Sequence, residues 1–162
     1  MSTHEPWFKS EVTKHLDKLL QPDWVVLETG CGGSTIWYAE RVAEVHSFEH
    51  DKAWYFKTLN LLREEKIENV WLYYSRLYPE KGIPMKDFPC SSDGNKMFDF
   101  ISIDGRGRMK SIETTIGNLK SGGYLLLDDC QRERYEILYP VYQWSNVHFT
   151  KHEKQTIIWK KP

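Results

Sequence analysis

The sequence predicts an α/β fold: a doubly wound, mostly parallel sheet of seven strands with an antiparallel C-terminal hairpin. Short apolar runs alternate with segments of helical periodicity along the chain, and this alternation is typical of strands joined by crossover helices. The last two apolar runs are separated by only a few polar residues. That connection is too short for a crossover, so these two strands should be antiparallel. A length of 162 residues suits one domain, which we assign to 1–162.

The first half of the chain predicts an N-terminal helix and three strands separated by helices. A stripe of apolar residues at helical spacing indicates the N-terminal helix within 1–22, and Pro22 helps to end it. Ser34 and Asp51 are the candidate N-caps of the next two helices. Strands are predicted at 23–28, 44–50 and 69–75, and helices at 34–43 and 51–66.

The second half of the chain begins with a segment that predicts a long loop. Residues 78–96 (YPEKGIPMKDFPCSSDGNK) contain three prolines and two glycines, and long loops in compact domains are commonly functional. The helix that follows the next strand is predicted to end at Gly122 and Gly123, and a later helix to be broken at Pro140. Strands are predicted at 97–104 and 124–129, helices at 108–123 and 132–143, and the hairpin at 146–161.

Composition and charge exclude several classes of protein. A formal net charge of -1 argues against a dedicated nucleic-acid binder, which usually carries a basic face. Three cysteines without zinc or disulfide spacing suit a reducing compartment. No apolar run approaches the roughly 20 residues of a membrane span, and the N-terminus has no apolar signal core. We therefore expect a cytoplasmic protein with no nucleic-acid or membrane partner.

A glycine-rich turn follows the first predicted strand. In ETGCGGST (28–35), Gly30, Gly32 and Gly33 come between the strand and the start of a helix. Glycine adopts positive φ at little cost and lets a ligand approach the backbone, and the helix start offers free N–H groups. Glu49 ends the second strand about 20 residues later, where a carboxylate typically accepts both ribose hydroxyls. This arrangement favours binding of a nucleotide or nucleoside, with a plain tight turn as the alternative.

Two side chains near this turn bear on the kind of nucleotide. A dinucleotide site has a third glycine for close packing of helix on strand, and Thr35 stands at that position. Glu28 would repel a pyrophosphate, whereas it suits a ligand that carries an ammonium group. An NAD-dependent oxidoreductase is therefore disfavoured, also because the chain has no room for a substrate domain.

The run E-x-G-x-G-x-S/T resembles the first motif of the class I S-adenosylmethionine (SAM)-dependent methyltransferases. SFEHD (47–51) resembles the ribose-binding segment of that family, FDFISIDG (98–105) its fourth strand, and LKSGGYLLLDD (119–129) its L-x-P-G-G turn and fifth strand. The resemblance extends from about residue 23 to residue 159 and implies a Rossmann-like fold with SAM as cofactor. The cofactor-binding residues it implies are Glu28, Gly30, Gly32, Ser34, Glu49, His50, Ser75 and Asp104, with His50 and Ser75 at the adenine.

Three aspartates follow the fourth and fifth predicted strands. Asp104 ends the fourth strand, and Asp128 and Asp129 end the fifth. The catechol-type O-methyltransferases use an Asp after strand four and an Asp-Asn pair after strand five, a pattern that Asp104 and Asp128 match and Asp129 alters. The resemblance implies Asp104 and Asp128 as catalytic residues and all three aspartates as candidate ligands of Mg²⁺. Turn formation and helix capping are the structural alternatives.

Arg106 and Arg108 follow in DGRGR. Surface solvation is the ordinary interpretation of such a pair, whereas next to a reaction edge they are candidates for binding a carboxylate or phosphate on an acceptor.

The resemblance implies an enzyme that transfers a methyl group from SAM to a small-molecule or sugar acceptor, at oxygen. No N/D-P-P-Y run follows the fourth strand, which counts against the nucleic-acid amino-methyltransferases. The alternative is a methyltransferase-like nucleoside-binding or scaffold protein without activity. Only the N-terminal helix and the loop at 78–96 are available to recognise an acceptor. Either the acceptor is small, or the second subunit of a homodimer completes the pocket.

Overall fold

A computed structural model of the protein describes residues 6–76, 78–83, 96–131, 141–151 and 154–162. Within these ranges the chain forms seven strands, five α-helices and two short 3-10 turns at 116–118 and 141–143. The helices are α1 (Ser10–Leu19), α2 (Gly33–Ala39), α3 (Lys52–Glu64), α4 (Tyr78–Lys81) and α5 (Arg108–Thr115). The strands are β1 (Val25–Thr29), β2 (Glu44–Glu49), β3 (Val70–Tyr74), β4 (Phe98–Ile103), β5 (Leu119–Leu127), β6 (Ser145–Lys151) and β7 (Lys154–Lys160).

All seven strands belong to one sheet with the order β3-β2-β1-β4-β5-β7-β6. Strands β1 to β5 are parallel, and β7 pairs antiparallel with both β5 and β6. The predicted doubly wound sheet with an antiparallel C-terminal hairpin is therefore confirmed. The strand order reverses between β1 and β4, which makes the carboxyl ends of these two strands the expected place for a ligand.

Buried apolar side chains cover both faces of the sheet. Alternate residues of the central strands belong to different core clusters: Leu27 and Ile101 to one, Val26 and Phe100 to the other. Val12 and Leu16 of α1 are fully buried in the second cluster. Because both faces of a parallel sheet are covered in this way, its strand ends are the natural opening to solvent. No helix among the described residues is long and apolar enough to cross a membrane.

The prediction of one helix over 108–123 is wrong. Helix α5 ends at Thr115, and β5 begins at Leu119, which pairs with Phe98 of β4. Gly122 and Gly123 do not end a helix; they lie inside β5, where the register with β4 shifts and Gly122 adopts a φ of 76°. Pairing across the sheet has here overridden the helical spacing of the apolar residues.

Three further predictions are corrected or confirmed in detail. Residues 78–83 are not loop throughout, because Tyr78–Lys81 form a helical turn and Tyr78 is fully buried.

Ser34 does not cap α2; it lies inside the first turn, and Gly32 is the capping residue. Asp51 caps α3 as predicted, since its carboxylate accepts from the N–H groups of Ala53 and Trp54. The predicted loop over 84–95 and helix over 132–140 lie outside the described residues.

Candidate functional site

The carboxyl ends of three neighbouring strands are joined by hydrogen bonds. The Gly30 N–H donates to the carbonyl oxygen of Phe48 at 2.9 Å, and the Thr29 hydroxyl donates to that of Asp104 at 2.8 Å. A Cβ on Gly30 would lie only 3.3 Å from the backbone nitrogen of Gly105, and Gly30 itself has a φ of 86°. The glycine loop is therefore pressed against the loop after β4, in a conformation that favours glycine.

A cleft of about 1230 Å³ opens at this edge of the sheet. Its floor is the glycine loop at 30–34, and its sides are formed by 49–51 after β2 and by 104–107 after β4. The remaining lining side chains come from the N-terminal segment and from α3: Trp7, Phe8, Trp54, Lys57, Thr58 and Leu61. The cleft thus brings the predicted Gly30, Gly32, Ser34, Glu49, His50 and Asp104 together.

Glu49 is the most heavily hydrogen-bonded side chain of the cleft. Its Oε1 accepts from the N–H groups of His50 and Asp51, both at 2.7 Å, and its Oε2 accepts from the Cys31 N–H at 3.1 Å. These three backbone donors fix the carboxylate at the junction of the glycine loop and the end of β2. Because a carboxylate has about four acceptor positions, Oε2 keeps room for a further donor.

His50 lies between Glu49 and Tyr78. Its Nδ1 is 2.9 Å from Glu49 Oε1 and 3.3 Å from the Tyr78 hydroxyl, and the His50 and Tyr78 rings meet edge to face. The His50 side chain is one-quarter exposed and lines the cleft. The structure therefore presents this imidazole to a ligand with its orientation already set by two partners.

Glu28 lies behind the glycine loop and is 1% exposed. Its carboxylate accepts from the hydroxyls of Ser34, Thr35 (2.6 Å) and Ser47 (2.7 Å). Burial raises the pKa of Glu28 to about 7, against the opposing effect of these three hydroxyls. Glu28 does not line the cleft, and its carboxylate is occupied by these hydroxyls, so this geometry does not favour the predicted ammonium contact.

Ser75 does not line the cleft either. Its N–H donates to the carbonyl oxygen of Glu49 at 2.8 Å, and its own carbonyl accepts from the Tyr78 N–H at 3.2 Å. The described contacts of Ser75 are therefore those of a backbone link between the ends of β2 and β3 and the start of α4, and an adenine contact stays a prediction.

The three strand-end aspartates do not converge on a common point. Asp104 Oδ1 accepts from Arg108 Nη2 at 2.7 Å, while Asp128 Oδ1 accepts from the Thr156 hydroxyl at 2.5 Å. Asp129 Oδ2 lies 3.5 Å from Arg108 Nη1. Burial raises the pKa of Asp128. Among the described residues no group of three His, Cys, Asp or Glu side chains is placed to hold a metal ion, so the residues do not fit the predicted Mg²⁺ site.

Sequence reasoning missed most of the aromatic and basic rim of the cleft. Trp7 is 87% exposed and meets Trp54 edge to face, with ring centroids 5.6 Å apart. Lys57 Nζ lies 4.5 Å from the centroid of the Trp54 ring. Trp54, Lys57 and Leu61 recur on one face of α3, and this spacing is the signal that could have identified them. No comparable signal exists for Trp7, which precedes α1.

Comparison with known proteins supports the fold. No family model matches the chain, and no curated protein shows significant similarity to its sequence. An rRNA methylase from Streptococcus thermophilus is 16% identical, with a TM-score of 0.69 over 98% of this chain and 100% of that one. A SAM-dependent O-methyltransferase from Thermotoga maritima is 14% identical, with a TM-score of 0.68 over 97% of this chain and 67% of that one. A chain from Streptococcus mutans, solved in complex with S-adenosylhomocysteine (SAH), is 13% identical. Its TM-score is 0.71 over 97% of this chain and 100% of that one.

At these identities the likeness concerns the fold, and it extends over nearly the whole chain. The strand order, the antiparallel hairpin and the cleft at the switch point agree with the resemblance seen in the sequence motifs. The chain has the Rossmann-like fold of the class I SAM-dependent methyltransferases.

Proposed function

We propose that the protein is a SAM-dependent methyltransferase that acts on a small-molecule or sugar acceptor, at oxygen. The observation that carries this proposal is the meeting of three segments in one cleft: the glycine loop after β1, Glu49 at the end of β2 and Asp104 after β4. Ligands of such sheets bind at this edge, beside the switch point. The chain from Streptococcus mutans that holds SAH has a similar structure over 97% of this chain, which supports the choice of ligand.

The backbone of the glycine loop suits the amino-acid part of SAM. A Cβ on Gly32 would meet no protein atom within 4 Å, so the backbone here is open to the cleft. The ligand can approach this backbone closely because no side chain stands in its way. Any larger residue at position 32 would place its side chain in the volume that we assign to the ligand.

The end of β2 suits the nucleoside. Oε2 of Glu49 accepts only the Cys31 N–H among the described donors, so it can accept a ribose hydroxyl as well. His50 follows directly and lines the same wall of the cleft, where its ring can pack on the adenine. Glu49 is 4% exposed, and a hydrogen bond to so sheltered a carboxylate is stronger than one in water.

The methyl transfer itself asks the chain mainly to bind, align and exclude water. When bound, SAM supplies a methyl group that its sulfonium makes electrophilic, and SAH is the product. As the acceptor oxygen bonds to the methyl carbon, its hydroxyl proton must leave, and Asp104 at the cleft can take it. Asp128 does not line the cleft and its carboxylate is bonded to Thr156, so the geometry supports Asp104 alone of the two predicted catalytic residues.

Two features support a small acceptor. The net charge of -1 gives little attraction for nucleic acid. Arg106 is exposed, lines the cleft and forms no ion pair with another described residue, so it can bind a carboxylate or phosphate on the acceptor. We assign the acceptor accordingly to small molecules, including sugars, that carry an anionic group.

Methyl transfer from labelled SAM to fractionated cell extract tests the proposal. We expect label in a small-molecule fraction together with formation of SAH, and a large loss of both in Asp104→Asn. Glu64→Ala, an exposed position at the end of α3, is the matched control and should transfer at the wild-type rate. Label in RNA would contradict the acceptor class. Binding of SAM without transfer to any fraction would instead favour the nucleoside-binding protein without activity.

A further inference from the structure

Arg108 is a buried cation among the carboxylates that follow β4 and β5. It is the first residue of α5, and only 6% of its side chain is exposed. Nη2 lies 2.7 Å from Asp104 Oδ1, and Nη1 lies 3.5 Å from Asp129 Oδ2. A charge this far from water requires charged or hydrogen-bonding partners. The guanidinium therefore belongs to one network with the carboxylates of the two neighbouring strand ends.

The backbone conformation at Gly107 determines where the Arg108 side chain lies. Gly107 precedes α5 with a φ of 63°, and a Cβ there would lie 2.4 Å from Pro79 Cα. Only glycine fits this position, because both the positive φ and the contact with α4 exclude a side chain. The turn that places Arg108 between the carboxylates therefore depends on the glycine at position 107.

The guanidinium lies between two of the three aspartates that were predicted to bind a metal ion. A divalent ion at this edge would need oxygen ligands from Asp104, Asp128 and Asp129. The positive charge of Arg108 already lies between the first and the third of these and would repel a second cation. The remaining carboxylate, that of Asp128, is held by Thr156.

The network also fixes the orientation of Asp104. Both hydrogen bonds that its carboxylate accepts, from Arg108 Nη2 and from the Gly105 N–H at 2.6 Å, end on Oδ1. Oδ2 accepts no hydrogen bond from the described residues, and the side chain is 37% exposed and lines the cleft. Asp104 is thus anchored through one oxygen and can offer the other to a ligand.

We propose that Arg108 replaces a divalent cation at this edge of the sheet. It is a positioning residue that holds Oδ2 of Asp104 in the cleft beside the bound cofactor, and the cofactor binds without a metal. This inference rests on the proposed function, since it assigns a task to the same cleft. It differs from the metal-dependent arrangement that the aspartates had suggested in sequence.

The first test is metal binding by the wild-type protein. We expect Mn²⁺, followed by electron paramagnetic resonance, to remain free at equimolar protein, and the affinity for SAH by calorimetry to change less than twofold between EDTA and excess Mg²⁺. Stoichiometric Mn²⁺ binding that is lost in Asp104→Asn would overturn the proposal.

The second test separates positioning from simple stabilisation. We expect Arg108→Ala and Asp104→Asn each to weaken SAH binding roughly tenfold, and the double variant to bind no worse than Asp104→Asn. Millimolar guanidinium should restore binding to Arg108→Ala but leave Asp104→Asn unchanged, and Arg108→Lys should recover part of the affinity. Arg63→Ala, at an exposed position in the last turn of α3, is the control and should bind as the wild type does.

The binding comparison can still be interpreted if Arg108→Ala folds poorly. Arg108→Lys and Asp104→Asn keep the shape of the network and can replace Arg108→Ala in the comparison. Additive losses in the double variant, or wild-type affinity in Arg108→Lys and Asp104→Asn alike, would overturn the positioning role. If the wild-type protein binds no SAH under any condition, the proposed function fails, whereas the Mn²⁺ titration still decides whether Arg108 replaces a metal.

Discussion

The Cys31 N–H donates a hydrogen bond to Oε2 of Glu49 at 3.1 Å, across 18 residues of sequence. This bond ties the glycine loop after β1 to the carboxyl end of β2. Glu49 therefore has two tasks in our account: it fixes the loop that receives the amino-acid part of SAM, and it offers an acceptor to the ribose. Both tasks depend on the same carboxylate.

Replacement of Glu49 should consequently weaken cofactor binding strongly. We expect Glu49→Ala to lower the affinity for SAH by about tenfold to a hundredfold, because hydrogen bonds to a charged group are lost from ligand and loop together. Calorimetry with SAH measures this, with Glu64→Ala as the exposed control. An unchanged affinity in Glu49→Ala would show that the ribose binds elsewhere.

A side chain at Gly30 should disturb both the stability and the site. Gly30→Ala forces alanine into a φ of 86° and toward the backbone nitrogen of Gly105 at 3.3 Å. The left-handed conformation alone costs about 1–2 kcal/mol, so the melting temperature should fall by roughly 5 °C. Gly117→Ala is the matched control because a Cβ there meets nothing within 4 Å and φ is ordinary; it should be neutral or slightly stabilising. Equal melting temperatures for the two variants would contradict the close approach of the loops.

The buried Glu28 should make stability depend on pH. Burial raises its pKa from 4.5 to about 7, so between these values the unfolded chain loses a proton that the folded chain keeps. The contribution of the protonated Glu28 to the free energy of unfolding is then fully present below pH 4.5. It is lost as the pH rises to about 7, by about 3 kcal/mol in all.

Glu28→Gln isolates this effect, because other titrating groups largely cancel in the comparison. The free energy of unfolding of the variant should rise relative to the wild type from about pH 4.5 to about pH 7 and stay constant above it. Urea unfolding at several pH values measures the difference. Parallel curves for the two proteins would mean that folding does not raise the pKa of Glu28.

The cap of α3 should contribute a measurable share of the stability. Asp51 accepts from the N–H groups of Ala53 at 2.8 Å and Trp54 at 3.0 Å. Asp51→Ala should therefore lower the free energy of unfolding by about 1 kcal/mol. Asp51→Ser, which keeps a capping oxygen, should lose much less in the same urea titration. Loss of equal size in both variants would assign the effect to the charge of Asp51 rather than to capping.

The sequence allowed the fold to be predicted where local and long-range signals agree. The alternation of strands and helices predicts the parallel part of the sheet, and the short hairpin connection predicts its antiparallel end. The prediction failed between Thr115 and Gly123, where the apolar spacing is helical but Leu119 pairs with Phe98 of β4. Such a strand start depends on a partner 21 positions away in the chain, and a local pattern contains no information about it.

The site was predictable to the extent that its residues follow strand ends. Gly30, Glu49 and Asp104 meet in the cleft because the carboxyl ends of parallel strands share one edge. The role of Arg108 could not be predicted, since its neighbour Arg106 has the same chemistry. Only the turn at Gly107 directs Arg108 into the protein and leaves Arg106 exposed. The burial of Glu28 behind three hydroxyls was likewise beyond sequence reasoning, because Ser47 comes from a different strand.

Calorimetry of the metal-free wild-type protein with SAM, SAH and NAD tests the central claim most directly. We predict binding of SAM and SAH with micromolar dissociation constants and no detectable binding of NAD. Binding of NAD alone, or of none of the three, would contradict the assignment of the cleft to SAM.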